Sequence, residues 1–315
     1  MSLFPSVVLV LAVTVFAATL GIAGVLRPVL RTLARMPPRA RAGGVLLVLG
    51  APWIVGMVLT AVALGHCWID RVRGLQDDCV RCGFCLFQSA GGSRWGWLIA
   101  LAALSPVGFA VTRLAGGMLR ARRASVALRG ISERLGDNMH LIPGRAAFVI
   151  GWLSPSVFIG EELRRTLAPA SMAAITAHED GHRKHRDTFA RMLGRLLSAV
   201  HLPRAALQLV ASLDLALEQA CDELASATVQ DRLVVAQALI DVARIQDTQP
   251  DGRDCQCVPA TLAARIDALC SDAAPAIARP RLAMVGALFA FGVAAGLAGG
   301  HQLHRAAEAL VRFVT

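Results

Sequence analysis

The chain has 315 residues, 55% of them hydrophobic and 17% charged, where a soluble domain usually carries about a quarter charged residues. The apolar residues gather into charge-free stretches, a pattern that argues against an ordinary soluble core and for bilayer spans. A formal net charge of +10 could speak for nucleic acid. However, much of the arginine flanks the apolar stretches, where it anchors helices against anionic lipid, and no nucleic-acid-binding signature accompanies it, so direct nucleic-acid binding is not expected.

In chain order, the charge-free stretches cover residues 3–26, 42–65, 95–112 and 282–300. Each is close to the roughly 20 helical residues that cross a hydrocarbon core, which predicts four transmembrane helices. Residues 3–26 lack the basic start of a cleaved signal peptide and are too long for its apolar region. Trp95 and Trp97 stand at one end of the third span, where aromatic rings favour the headgroup level.

Arginine sets the expected orientation. The first connection carries Arg27, Arg31, Arg35, Arg39 and Arg41, and the segment after the third span carries Arg113, Arg120, Arg122, Arg123 and Arg129. The second connection holds a more dilute set, Arg71, Arg73, Arg81 and Arg94. The positive-inside rule therefore places the N-terminus outside, residues 66–94 outside, residues 113–281 in the cytoplasm and the tail, residues 301–315, outside. Only Lys184 stands among the arginines in a basic set of 32. This points to a GC-rich bacterial genome, and so to a multi-pass protein of the bacterial inner membrane.

The outside loop, 66–94, holds Cys79, Cys82 and Cys85 at spacings of three, with Cys67 near its start. In an oxidising compartment these four would form disulfides, with the pairing open. The alternative is a metal or redox sensor, since soft thiolates suit copper(I) or zinc. Were the topology inverted, a cytosolic metal site would lead.

Residues 113–281 are long enough for one folded domain. A helix is predicted over 118–134, followed by a turn at Gly136, Asp137 and Asn138. Strands are expected at 139–142, 146–152 and 156–159, broken by Pro143-Gly144 and Ser154-Pro155. A short helix is expected at 161–167, and Pro169 suits the first turn of a helix running to about residue 199. Further helices are expected over 205–229, 232–246 and 261–269, with a polar loop at 247–259 that carries Cys255 and Cys257. Cys270 is left without a role.

The long helix contains His178-Glu179-Asp180-Gly181-His182, an H-E-x-x-H sequence. Residues four apart share one helix face, so both imidazoles can reach one ion, while Glu179 beside them can take a proton from water. Two ordinary histidines on a charged face would read the same way, and Gly181 costs helix stability. A catalytic zinc normally takes a third protein ligand. Glu218 and Asp222, four apart on a later helix, would read alone as solvated acids; beside H-E-x-x-H they offer a ligand and a group to orient a histidine. Cys221 reads as a packed thiol.

The order strand, Gly-Trp-Leu-Ser-Pro-Ser, short helix, H-E-x-x-H-x-x-x-x-D ending at Asp187, then Glu218-x-x-Cys221-Asp222-Glu223, resembles the membrane antirepressor zinc metallopeptidases of the BlaR/MecR type. These are relatives of the CAAX prenyl and heat-shock membrane proteases. The likeness runs over roughly residues 146–269, including Arg265-Ile266. It implies a mainly α, zincin-like (gluzincin) domain with a small sheet, one zinc ion on His178, His182 and Glu218, and Glu179 as general base. Asp187 and Asp222 would support the ligands from behind. Residues 146–152 would be an edge strand for a peptide substrate. An oxyanion donor besides zinc is wanted. The chain has no tyrosine, which leaves His185, His201 and Arg204 as candidates.

After the last span only residues 301–315 follow, with an apolar face on Leu303, Ala306, Ala307, Leu310 and Val311 that suits an interfacial helix. No large penicillin-binding sensor domain follows, so β-lactam sensing by this chain is not expected. The expected function is a regulatory metalloendopeptidase that cleaves a cytosolic protein, such as a transcriptional repressor, or itself. The alternatives are a housekeeping membrane protease and a non-enzymatic metal or redox receptor. A homo-oligomer is among the open partners.

Overall fold

The computed structural model describes residues 4–72, 94–136, 138–247 and 258–271. Three long helices come first: α1 (Phe4–Ala34), α2 (Pro38–Val72) and α3 (Arg94–Ile131). Apolar segments Leu11–Ala34 and Pro38–Ala61 make two helices that are long and apolar enough to cross a membrane. The third predicted span lies inside α3. The fourth span, the tail, Cys79, Cys82, Cys85, Cys255 and Cys257 all lie outside the described residues, as does the side chain of Cys67. The first helix runs further than expected, so Arg27 and Arg31 are helical and not part of a loop.

A four-stranded sheet follows, in the order β1-β2-β4-β3. Its strands are β1 (Glu133–Gly136), β2 (Met139–Ile142), β3 (Ala147–Ile150) and β4 (Ser156–Gly160). β2 and β4 run parallel, while β1 on β2 and β3 on β4 are antiparallel. β4 is buried throughout, as its central place and the apolar run Val157-Phe158-Ile159 require. Phe158 stacks against His140 and Phe148. Strand β3 lies at the edge, as the family resemblance implied. The predicted helix over 118–134 is corrected here: it stops at Ile131, and Glu133–Gly136 pairs with β2 instead. That strand is exposed, so no apolar alternation announced it.

The helical layer comprises α4 (Glu161–Thr166), α5 (Pro169–His185), α6 (Asp187–Leu197), α7 (Pro203–Val229), α8 (Arg232–Asp247) and α9 (Val258–Cys270). The single helix expected from Pro169 to about residue 199 is two helices. Arg186 adopts φ 54°, ψ 42°, a left-handed conformation that ends α5 and starts α6. Its N–H caps α5 on the carbonyls of His182 and Arg183.

Two apolar cores hold these layers. One joins Leu163, Ala174, Ile175, Ala225, Val235, Ala238 and Leu269 around α5, α7, α8 and α9. The other runs from Leu33, Val45 and Leu49 of the N-terminal hairpin to Leu209, Leu213 and Leu217 of α7. The hydrophobic interior thus crosses the boundary expected at residue 113, and the hairpin packs directly on the helix that carries Glu218. Gly181 has a packing reason. A Cβ there would meet Cys221 Sγ at 3.2 Å and Leu224 at 3.1 Å, so the missing side chain lets α5 lie close on α7.

Candidate metal centre

Helix α5 turns His178 and His182 to one side, both buried, with their rings edge to face at 4.7 Å between centroids. Helix α7 brings Glu218 opposite. His178 Nε2 lies 3.4 Å from Glu218 Oε2, and His182 Nε2 lies 3.4 Å from Glu218 Oε1. Donors about 2.0–2.1 Å from a tetrahedral zinc stand roughly 3.3–3.4 Å apart. The three side chains therefore fit one zinc ion, with all ligand atoms within 4.8 Å of one another.

The other imidazole nitrogens face acids. His182 Nδ1 is 2.9 Å from Asp187 Oδ2. His178 Nδ1 lies 2.9 Å from Asp222 Oδ1, in ion-pair range but not aligned as a hydrogen bond. Acids on Nδ1 would hold each ring with Nε2 towards a bound ion and raise its basicity as a ligand. Both acids are buried and both are neutralised. Arg265 grips Asp222 with Nε to Oδ2 at 2.8 Å and Nη2 to Oδ1 at 2.7 Å, and its Nη1 lies 3.0 Å from Glu218 Oε2. Arg39 Nη1 donates to Asp187 Oδ1 at 2.6 Å. Arg191 donates to Glu218 Oε1.

Glu179, the residue after the first histidine, is half-buried. Its charge acts on both His178 and Arg265, which puts it at the same site. Among the described residues it carries no ion pair, unlike Asp180, which faces Arg183 and Lys184.

Electrostatics follows the geometry. Burial pulls the His178 imidazole down, but the Asp222 and Glu218 carboxylates outweigh it and push the ring up to about 9. Burial likewise pulls His182 down, and Asp187 and Glu218 raise it. Burial raises Glu218, yet both imidazoles and Arg265 hold it well below the usual carboxylate range. Burial pushes the Cys221 thiol up, which leaves it a neutral packed group 3.2 Å from His182 Nδ1.

A pH dependence follows for protein stripped with a chelator. His178 binds its proton more tightly folded, at about 9, than at the ordinary 6.5. The stability this contributes is full below about pH 6.5 and is lost as pH rises through about 9. Thermal unfolding of the stripped protein should therefore show Tm falling across that window. Zinc-loaded protein should not show the fall, because the ion takes the proton's place. A flat Tm for the stripped protein would remove the buried acid–imidazole contacts from the account.

The three oxyanion candidates lie in different places. His201 is buried with Nε2 on the Leu49 carbonyl at 3.1 Å, so it ties the start of α7 to α2. His185 ends α5, where its own carbonyl accepts from Arg39. Arg204 is exposed in the first turn of α7. Among the described residues none of the three side chains forms a hydrogen bond or ion pair with His178, His182 or Glu218. The guanidinium groups that do reach the Glu218 carboxylate are Arg191 and Arg265. Arg265 belongs to the family likeness and Arg191 does not, and no local spacing ties either to Glu218.

Compared with known families, residues 137–266 match Peptidase family M48. The matched segment holds β2 to β4, both histidines, Glu179, Asp187, Glu218, Asp222 and Arg265. No curated protein and no solved structure matches the chain. The family match supports a metallopeptidase.

Proposed function

We propose that this chain is a membrane-embedded zinc metalloendopeptidase of the antirepressor type, with His178, His182 and Glu218 as zinc ligands and Glu179 as the general base. The observation that carries the reading is the pair of Nε2 atoms 3.4 Å from the two oxygens of one carboxylate, each ring backed by a buried acid. Zinc bound there would polarise the scissile carbonyl and make a water easier to deprotonate. Glu179 would take a proton from the attacking water and return it to the leaving amine. Asp187 and Asp222 fix the two imidazoles, while Arg191 and Arg265 hold Glu218 ionised and in place.

Strand β3, at the sheet edge, offers unpaired backbone groups to an extended substrate, which favours a peptide over a small molecule. Arg39 at the site and Leu49 on the same helix are ten residues apart, about 15 Å along the axis. Beyond that level Ile54 and Met57 are exposed on α2, where lipid would cover them. This supports a substrate cut close to a membrane surface. A bacterial inner membrane, an outside N-terminus and a cytoplasmic site are the orientation proposed from arginine. A transcriptional repressor or the chain itself is the proposed substrate. The residues 66–94 loop, with Cys67, Cys79, Cys82 and Cys85, is the proposed input.

The test is cleavage by the purified full chain, loaded with zinc in detergent, of a proteome-derived peptide library read as new N-termini by mass spectrometry. Expected are new termini that vanish with chelator. Stoichiometric zinc without any new terminus would instead favour a non-enzymatic receptor. Replacing the four loop cysteines should leave cleavage intact and abolish its response to metals or oxidants. An unchanged response would favour the housekeeping protease.

A further inference from the structure

Arg39 is one of several arginines of the first connection. In the structure it lies in the first turn of α2 and reaches the corner between α5 and α6. Its Nη1 donates to Asp187 Oδ1 at 2.6 Å, and its Nη2 donates to the His185 carbonyl at 3.3 Å. The Asp187 side chain is 0% exposed, and its second oxygen lies 2.9 Å from His182 Nδ1. Arg41, two residues on, donates to Gln219, the neighbour of Glu218. The first turn of α2 thus holds both segments that present ligands.

We propose that Arg39 is a positioning residue of the metal centre, fixing Asp187 so that His182 keeps Nε2 on the ion, and that the α1–α2 hairpin is thereby part of the metal site. The inference rests on the metallopeptidase reading above. A buried carboxylate without its guanidinium either takes a proton or turns towards solvent. The first weakens and the second removes the acceptor that holds the His182 ring and its tautomer. The planar fork of arginine reaches carboxylate and carbonyl together, whereas a lysine would satisfy the charge and lose one of the two bonds.

The experiment measures zinc affinity of the full chain in detergent by competition with a chromophoric chelator. Four proteins are compared: wild type, Arg39→Ala, Arg39→Lys and Arg35→Ala, which removes an exposed charge from the same connection. Arg39→Ala should bind zinc about 10–100-fold more weakly, Arg39→Lys should fall between, and Arg35→Ala should match wild type. At saturating cobalt(II), Arg39→Ala should also show a changed ligand-field spectrum, a change that mere loss of stability would not produce. Wild-type affinity in Arg39→Ala, or an equal loss in Arg35→Ala, overturns the inference. A wild-type chain that binds no zinc overturns the metallopeptidase reading itself, a separate result.

Discussion

Glu179→Gln is expected to lower peptide hydrolysis by at least about 10²–10⁴-fold, the usual contribution of a positioned proton acceptor, while zinc binding stays at the wild-type level. The amide keeps the size of the side chain but cannot take a proton from water. His178, His182 and Glu218 keep their mutual distances, because their supports come from Asp187, Asp222, Arg39 and Arg265 and not from Glu179. The two readouts separate the roles: zinc content by elemental analysis, and cleavage rate on whichever peptide the library yields. Hydrolysis at the wild-type rate would strip Glu179 of its role. Loss of zinc together with activity would make it a structural member of the site.

Arg265→Ala should cost about 3 to 5 kcal/mol of stability, the penalty for leaving a buried charge unpaired. The reason lies in its partners. Asp222 is 2% exposed in its side chain, and Arg265 supplies two aligned hydrogen bonds to it and a third contact to Glu218. Removing it leaves the Asp222 carboxylate without a guanidinium partner, while Glu218 keeps Arg191. Arg265 also draws α9 onto α7, so its loss loosens a helix pair as well as an ion network. Arg265→Lys should recover only part of the loss, since one ammonium cannot reproduce the bidentate fork. Chemical denaturation in detergent reads the difference. A loss under about 1 kcal/mol would mean that Asp222 gains another partner or solvent in the variant.

The two predictions rest on parts of the molecule that differ in how visible they were beforehand. His178 and His182 could be paired from spacing alone, because four residues on a helix return to one face whatever surrounds them. The same holds for Glu218 with Asp222. The strands at residues 139–142 and 156–159 were legible because Pro143-Gly144 and Ser154-Pro155 interrupt short β-favouring runs. Strand β1 was not, since Glu133–Gly136 is exposed and carries no alternation.

The break at Arg186 was hidden for a different reason. The run from Pro169 to residue 199 has helical periodicity on both sides and no glycine or proline at the corner. At the corner Asp187 meets His182, five residues back, and Arg39, 148 residues away. Likewise the arginines of the first connection look in sequence like membrane-flanking charges, and nothing local tells Arg39 and Arg41 apart from Arg27 or Arg35.

By itself, then, the order of residues determined the apolar helices at the N-terminus, the mainly helical domain and the two helix faces that carry His178 with His182 and Glu218 with Asp222, all of which follow from periodicities of a few residues. Only the folded chain decided which face meets which, that Asp187 supports one histidine and Asp222 the other, and that the N-terminal hairpin reaches the site. Such pairings join positions far apart along the chain, and their energy comes from burying charges against one another, a quantity that no short window of sequence contains.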